Sequence, residues 1–405
     1  MNITIKINRN VVLIVLLTLV YTSVWGLIGF TKIVFSLPLF YFVYKTRNID
    51  SKFRWNILIL FFFIIINFYT TYRFRGQSFL DSFNTSYIRN FFPILIYFLL
   101  LYYNVSVKVL EKAIFILTTI FIFCYVFQWI IFPLEIFELL NPNESTHRFR
   151  MVGQGISSLG LFFALNKFLI TKRYVYVFLM IGCVLVALLL GFRSIILTCF
   201  AVSFLLVLRI NRFSIKKIFP IIIVSAILLL IAVNIPLVQG IINDMQERNA
   251  TDTFDNPEYI RILQINYFLN DHFQSFSEFF WGTGIPNINS RYGEYMYSFH
   301  EVNKYGEITG TSITGWFDWG LLGLSWVLGI PFVCCLIIYA LRVIFMKVPR
   351  EYFYLSSWFV FLLISSTITI EFYREGVFFF HGLALYLVEK VSDSKKQINN
   401  LKNER

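Results

Sequence analysis

Four short motifs rich in arginine, aromatic residues and glycine occur from residue 148 onward, and their side chains could bind a phosphorylated substrate. Arginine carries a planar, permanently charged guanidinium that can hold a phosphate or a carboxylate through two hydrogen bonds. Such residues favour chemistry on an anionic ligand, for which a diphosphate is the leading candidate. The motifs are Arg148-Phe-Arg150-Met-Val-Gly153; Gly191-Phe-Arg193-Ser194; Tyr259-Ile-Arg261-Ile-Leu-Gln264, followed by Trp281-Gly-Thr-Gly284; and Gly315-Trp-Phe-Asp318-Trp-Gly320-Leu-Leu-Gly323.

These motifs lie within a very apolar chain. Of its 405 residues, 58% are hydrophobic and 14% are charged, against about 25% charged in an ordinary soluble protein. A soluble domain of this length could not bury so many apolar side chains. The composition therefore excludes a soluble globular enzyme, a disordered chain and a nucleic-acid-binding domain. The net charge of +12 is assigned to cytoplasmic loops rather than to a nucleic-acid-binding surface.

The elements that position the motifs are predicted transmembrane helices. These are apolar runs of about 20 residues, the length that crosses a bilayer as a helix. The pattern predicts an all-α, polytopic integral membrane protein with about 12 transmembrane helices in a single membrane domain, residues 1–405. The second and last runs are short and could be tilted or re-entrant. The runs lie at 11–30, 33–44, 55–70, 90–105, 113–133, 151–170, 174–190, 194–208, 218–238, 316–341, 352–370 and 376–389.

The distribution of lysine and arginine predicts the orientation. With a cytoplasmic N-terminus, 23 of the 35 basic residues lie on the cytoplasmic side, and the C-terminus is cytoplasmic too. The outer side then holds two lysines and ten arginines, whereas the inner side holds fourteen lysines and nine arginines. This bias toward arginine favours an anionic ligand at the outer face, although an ion pair with a loop carboxylate would also explain any single arginine.

A long outer segment, residues 239–315, separates the ninth and tenth predicted spans. Between Asp244 and Glu307 it carries ten acidic and four basic residues, and its apolar positions at 256–280 predict short helices. An ordered loop of this length is usually functional. An enzyme that acts on a head group at the outer surface needs such a loop, and a transporter does not. Within it, His272 is expected to be solvated.

The order and spacing of the four motifs resemble the O-antigen polymerase and ligase superfamily of bacterial envelopes over residues 145–345. The resemblance implies a GT-C-like, metal-independent, inverting glycosyltransferase at the outer face of the bacterial inner (cytoplasmic) membrane. Its donor would be a glycan on undecaprenyl diphosphate. A polymerase transfers that glycan to the next lipid-linked repeat unit, and a ligase transfers it to a lipid A core. No cofactor or nucleic acid is implied, and a chain-length regulator is a further candidate partner.

By position, Arg150, Arg193 and Arg261 match the family's diphosphate-binding arginines. Arg148 could exchange roles with Arg150, and Arg374 is added because it lies at the outer end of the eleventh span. Guanidinium groups can stabilise the charge that develops on a departing diphosphate without a metal ion. Consistently, the sequence has no Asp-x-Asp motif or other carboxylate pair with a convincing metal-binding spacing.

The acceptor hydroxyl also needs a general base, for which the candidates are His300, Glu301, Glu307 and Asp318. Here the chain departs from the ligase-like pattern, which has His-Asn where this chain has Thr309-Gly310. That departure favours a polymerase over a ligase.

Two alternatives belong to other functional classes. A flippase for lipid-linked oligosaccharides should carry charges within its spans and inverted repeats. A non-catalytic scaffold or sensor should tolerate replacement of the outer arginines.

Overall fold

The computed structural model describes residues 9–22, 31–143, 148–212, 259–297, 301–302, 308–309 and 313–403. Helices make up most of this part of the chain, which agrees with the predicted all-α class. The helices before residue 213 are α1 (Arg9–Thr22), α2 (Thr31–Lys45), α3 (Arg54–Arg75), α4 (Phe79–Asn84), α5 (Ser86–Arg89), α6 (Ile96–Tyr103), α7 (Val107–Ile131), α8 (Gly155–Thr171), α9 (Val175–Leu190) and α10 (Arg193–Ile210).

The helices after residue 258 include three short ones in the outer segment, of which the first two lie where the apolar spacing at 256–280 predicted short helices. A π-helical turn, Tyr267–His272, follows the first of them, and 3-10 turns lie at Phe92–Leu95, Trp316–Trp319 and Arg350–Tyr352. The helices are α11 (Ile260–Asn266), α12 (Phe276–Trp281), α13 (Arg291–Tyr297), α14 (Gly320–Leu328), α15 (Ile330–Phe345), α16 (Phe353–Ser365) and α17 (Val377–Asn403).

Two short hairpins interrupt the helical pattern and were not predicted. Strand β1 (Leu139–Asn143) pairs antiparallel with β2 (Arg148–Met151), with Leu140 opposite Arg150. Strand β3 (Glu301–Val302) pairs with β4 (Ile308–Thr309) in the outer segment. The first hairpin holds the Arg148-Phe-Arg150 motif in an extended conformation, and α8 therefore begins at Gly155 rather than at residue 151.

Each predicted span contains a helix in its described part, except 218–238, which lies outside the described residues, as do residues 23–30 of the first span. Among the described helices, α3, α7 and α10 are long and apolar enough to cross a membrane, and several shorter apolar helices accompany them. The chain thus contains helices suited to a bilayer, whereas the full number of twelve spans stays a prediction.

Two predicted spans are broken rather than continuous. In the span at 90–105, the 3-10 turn Phe92–Leu95 contains Pro93, whose ring removes a backbone donor and disfavours a regular helix. The span at 316–341 begins as a 3-10 turn and is interrupted at Gly329, where φ is +91°. A Cβ atom on Gly329 would lie 2.5 Å from the carbonyl oxygen of Trp281, so the break admits close backbone contact with the outer segment.

The interior of the bundle lies around α8, α16 and α17. Helix α8 packs against α7, α9, α10 and α16, and α17 packs against α6, α7 and α8. Large apolar side chains fill the space between them, including Phe162, Trp358 and Phe379, each with no exposed surface. The candidate site lies on the connections between these helices. The close-packed core therefore fixes the positions of those connections.

Candidate functional site

The carboxylate of Asp318 is the point at which three of the sequence motifs meet. Asp318 lies in the turn Trp316–Trp319, and its Oδ2 accepts a 2.9 Å hydrogen bond from Nε2 of Gln264 on α11. Arg261, one turn earlier on α11, acts on the same carboxylate electrostatically, as does Arg150 on β2. Residues far apart in the sequence therefore form one charged cluster.

The surroundings of Asp318 tune its basicity. Although the predicted span at 316–341 includes Asp318, the residue lies in a 3-10 turn at the outer end of that span, before its first helix, α14, begins at Gly320. Burial raises the pKa of Asp318, while the hydrogen bond from Gln264 and the positive charges of Arg261 and Arg150 oppose that rise. A carboxylate with a raised pKa accepts a proton more readily than a solvated one, so Asp318 is suited to act as a general base.

The first and second motifs meet at a contact between Arg150 and Phe192. The guanidinium carbon of Arg150 lies 3.8 Å from the centroid of the Phe192 ring, within the range of a cation–π interaction. Phe192 immediately precedes Arg193, which begins α10. Arg148 lies on β2 opposite Asn143, and its side chain is outside the described part of the structure.

Arg374 joins the same cluster from the connection between α16 and α17. Its side chain is 1% exposed and is paired with the carboxylate of Glu371. Its Nε and Nη1 atoms have no hydrogen-bond partner among the described residues. Arg374 and Arg150 both act electrostatically on Tyr87, so they lie near each other. Because unpaired buried donors are costly, an anion that accepts from Arg374 would be stabilised there.

Aromatic packing fixes the position of the Asp318 turn. Trp316 stacks on Tyr373 with ring centroids 6.1 Å apart, and the Tyr373 hydroxyl donates a 2.9 Å hydrogen bond to the Gly320 carbonyl. The backbone N–H of Gly153 donates to the carbonyl of Glu375 at 3.3 Å, which ties the end of β2 to the same connection. The elements that carry Arg150, Asp318 and the Arg374 region are thus in direct contact.

A second polar cluster anchors the outer segment and corrects the expectation that His272 is solvated. His272 is 2% exposed, and its ring nitrogens lie 3.3 Å from the Tyr267 hydroxyl and 3.0 Å from the Thr283 hydroxyl. Arg75, at the end of α3, donates to the His272 carbonyl and forms a 2.9 Å ion pair with Glu278. Burial, helped by the charge of Arg75, lowers the pKa of His272 to about 3.

The Trp281-Gly-Thr-Gly284 motif has a structural explanation. The backbone N–H groups of Thr283 and Gly284 donate to the carbonyls of Trp326 and Val327, at 3.1 Å and 2.8 Å. These carbonyls lie at the end of α14, where Gly329 interrupts the helix and leaves acceptors without partners in the next turn. The motif therefore docks the outer segment onto the broken span.

Among the four candidate bases, Asp318 is the one whose side chain the structure describes. Glu301 lies in β3, where only the backbone is described, and His300 and Glu307 fall outside the described residues. Within the described residues, no three His, Cys, Asp or Glu side chains are grouped so that they could hold a metal ion. Independence from a metal stays a prediction of the sequence.

Two residues of the cluster had no role in the sequence-based prediction. Gln264 was part of a motif, and it lies three residues after Arg261, so a helix places both on one face. That spacing could have identified Gln264 as a residue of the site. Tyr373 gave no such signal, since its role depends on packing against Trp316. No protein-family model matches the chain, and a search of curated proteins found no match. The resemblance to O-antigen polymerases and ligases therefore rests on the motifs alone.

Proposed function

We propose that this protein polymerises lipid-linked oligosaccharide repeat units at the outer face of a bacterial inner membrane. In this proposal it has about 12 transmembrane helices, with both termini in the cytoplasm. The observation that supports the proposal most is that Arg150 and Arg261 act electrostatically on the half-buried carboxylate of Asp318, which also accepts a hydrogen bond from Gln264. In a glycosyl transfer from a diphosphate donor, cations stabilise the departing diphosphate and a base takes the proton of the acceptor hydroxyl.

The proposed reaction has one step. A hydroxyl oxygen of the acceptor repeat unit attacks the anomeric carbon of the donor glycan, and its proton passes to Oδ1 of Asp318. The bond between that carbon and the diphosphate oxygen breaks, and undecaprenyl diphosphate leaves with the electron pair. Attack opposite the leaving group inverts the anomeric configuration. Arg150, Arg193, Arg261 and Arg374, with Arg148 as an alternative to Arg150, stabilise the charge on the diphosphate.

The choice of a polymerase over a ligase depends on the acceptor. The chemistry is shared, and the chain differs from the ligase-like pattern at Thr309 and Gly310. A decisive test is to delete the gene in its host and to separate the surface glycan and the lipid-linked pool on a gel. Collapse of the ladder to single repeat units supports a polymerase, whereas long chains that accumulate on the lipid carrier indicate a ligase. An unchanged ladder would contradict both and favour a flippase or a scaffold.

The roles of the residues are tested in the complemented deletion strain. Asp318→Asn keeps the shape of the side chain but cannot accept the proton, and general-base catalysis contributes about 10²- to 10⁴-fold in rate. We expect elongation to fall by at least about 100-fold at normal protein abundance. Glu294→Gln is the matched control, because it neutralises an exposed carboxylate elsewhere in the outer segment and should leave elongation unchanged.

The diphosphate contacts are tested by replacing Arg150, Arg193 and Arg261 with lysine, one at a time. Lysine keeps the charge but loses the two-point hydrogen bonding, so shorter polymers are expected. If all three variants make full-length polymer at normal abundance, arginines do not hold the diphosphate.

A further inference from the structure

Gln264 occupies a position to which the proposed reaction assigns no role. Its side chain is fully buried, at 0% exposure, and its amide N–H points at one of the two oxygens of Asp318. A buried amide is costly unless it makes a specific hydrogen bond. A partner of this amide is the proposed catalytic base, which suggests a role in the reaction.

We infer that Gln264 is a positioning residue that holds Oδ2 of Asp318, so that Oδ1 is left to take the proton of the acceptor hydroxyl. The inference rests on the proposed function and extends it. An amide suits this role because it donates a hydrogen bond but does not titrate, and so cannot compete for the acceptor's proton.

The neighbouring charges explain why the carboxylate needs to be held. Among the described residues, the charged and titratable groups that face Asp318 are Arg150 from β2, Arg261 from α11 and Tyr373 from the connection before α17. An unrestrained carboxylate could turn onto either guanidinium and form a two-point ion pair. Such a pair would occupy an arginine that the diphosphate needs and would make Asp318 a weaker base. Gln264 thus keeps the base and the cations in separate roles.

The position of Gln264 is itself fixed. Arg261 and Gln264 are three residues apart on α11, so one helix face presents both the cation and the amide. Phe268, just beyond α11, stacks on Trp326 of α14 with ring centroids 4.3 Å apart. Helix α14 directly follows the Asp318 turn. The donor and the acceptor of the hydrogen bond therefore lie on two elements that pack against each other.

The test uses the full-length protein, purified and reconstituted in liposomes with lipid-linked repeat units, and measures the rate of elongation against pH. Gln264→Met keeps the approximate size of the side chain and removes the donor. Because the hydrogen bond lowers the pKa of Asp318, its loss should raise that pKa and move the acid limb of the kcat profile to higher pH. We expect kcat to fall by about tenfold or more, with KM for the repeat unit unchanged.

A second variant keeps the inference falsifiable if Gln264→Met folds poorly. Gln264→Glu is nearly isosteric and places a second carboxyl beside Asp318, so the acid limb should move further toward high pH. Leu263→Met is the matched control, since it puts methionine on the same helix at a partly exposed position and should leave the profile unchanged.

Three results would overturn the role of Gln264. The acid limb could stay in place in both variants, or kcat and KM could change together without a shift of that limb. Failure of both variants to accumulate would assign Gln264 to folding alone. Asp318→Asn separates this inference from the proposed function. If that variant elongates normally, the assigned base is wrong, whereas an inactive Asp318→Asn beside a normal Gln264→Met refutes the role of Gln264 only.

Discussion

At the scale of single residues, the outer arginines have different roles. The excess of arginine over lysine on the outer side did not reveal those roles. Arg75 is committed to Glu278 and to the His272 carbonyl, and so serves to anchor the outer segment. Arg374 pairs with Glu371 yet keeps two donors without partners among the described residues. The sequence identifies where arginines are concentrated, but the partner of each one depends on contacts between distant segments.

The His272 cluster gives a prediction for stability against pH. The pKa of His272 is about 3 when folded and near 6.5 when unfolded, so the unfolded chain takes up the proton first as the pH falls. The neutral ring stabilises the fold fully above about pH 6.5, and this contribution shrinks as the pH falls toward 3. His272→Gln does not titrate, so it should lose less thermal stability than the unaltered protein between pH 7 and pH 5.

The measurement is thermal unfolding in detergent at both pH values. His272→Phe, which lacks hydrogen-bonding groups, should lower the melting temperature at pH 7 as well, because the hydroxyls of Tyr267 and Thr283 each lose one hydrogen-bond partner in a buried site. Equal losses between pH 7 and pH 5 for the glutamine variant and the unaltered protein would show that His272 does not contribute.

At the scale of elements, apolar length predicted where helices occur but not where they break. The run at 316–341 is apolar throughout much of its length, and the interruption at Gly329 depends on the approach of Trp281 from the outer segment. Likewise, strand β2 alternates polar and apolar residues over only four positions, Arg148 to Met151, and its partner β1 does not alternate, so the pattern was too short to reveal the hairpin. The periodicity of apolar residues reports the surroundings of a single segment. The break at Gly329 and the hairpin each depend on a contact between two segments.

Glycine at 329 should therefore be essential for docking the outer segment. In Gly329→Ala, the new methyl group would lie 2.5 Å from the Trp281 carbonyl oxygen at a backbone φ of +91°. Gly76→Ala is the matched control, because its φ is +64° and nothing lies within 4 Å of the added carbon. The control should lose about 1–2 kcal/mol from the left-handed backbone alone. Gly329→Ala should lose clearly more, with faster proteolysis of the outer segment. Equal losses would show that the contact is unimportant.

At the scale of the whole molecule, several basic residues make contacts with groups near the same predicted ends of the spans. Arg342 donates to the Lys52 carbonyl, Lys52 donates to Ser392, and Arg209 donates to Ser356, all near predicted inner ends. Arg150, Arg261 and Arg374 gather around Asp318 and Tyr87, near predicted outer ends. Charge counting assigns these two groups of residues to opposite sides of the membrane, and that assignment stays a prediction. It could not arrange either group, because arrangement depends on how the helices pack.

The direction of this separation relative to the cytoplasm gives the last prediction. In a variant without native cysteines, Asn48→Cys lies in the exposed turn between α2 and α3 and should face the cytoplasm. Ile288→Cys, at a position 63% exposed in the outer segment, should face the other side. A membrane-impermeant maleimide added to intact spheroplasts should label position 288 at once and position 48 only after lysis. Full-length polymer from both variants would show that the labelled proteins are folded. The reverse labelling would place Asp318 and its arginines in the cytoplasm, and polymerisation at the outer face would then be ruled out.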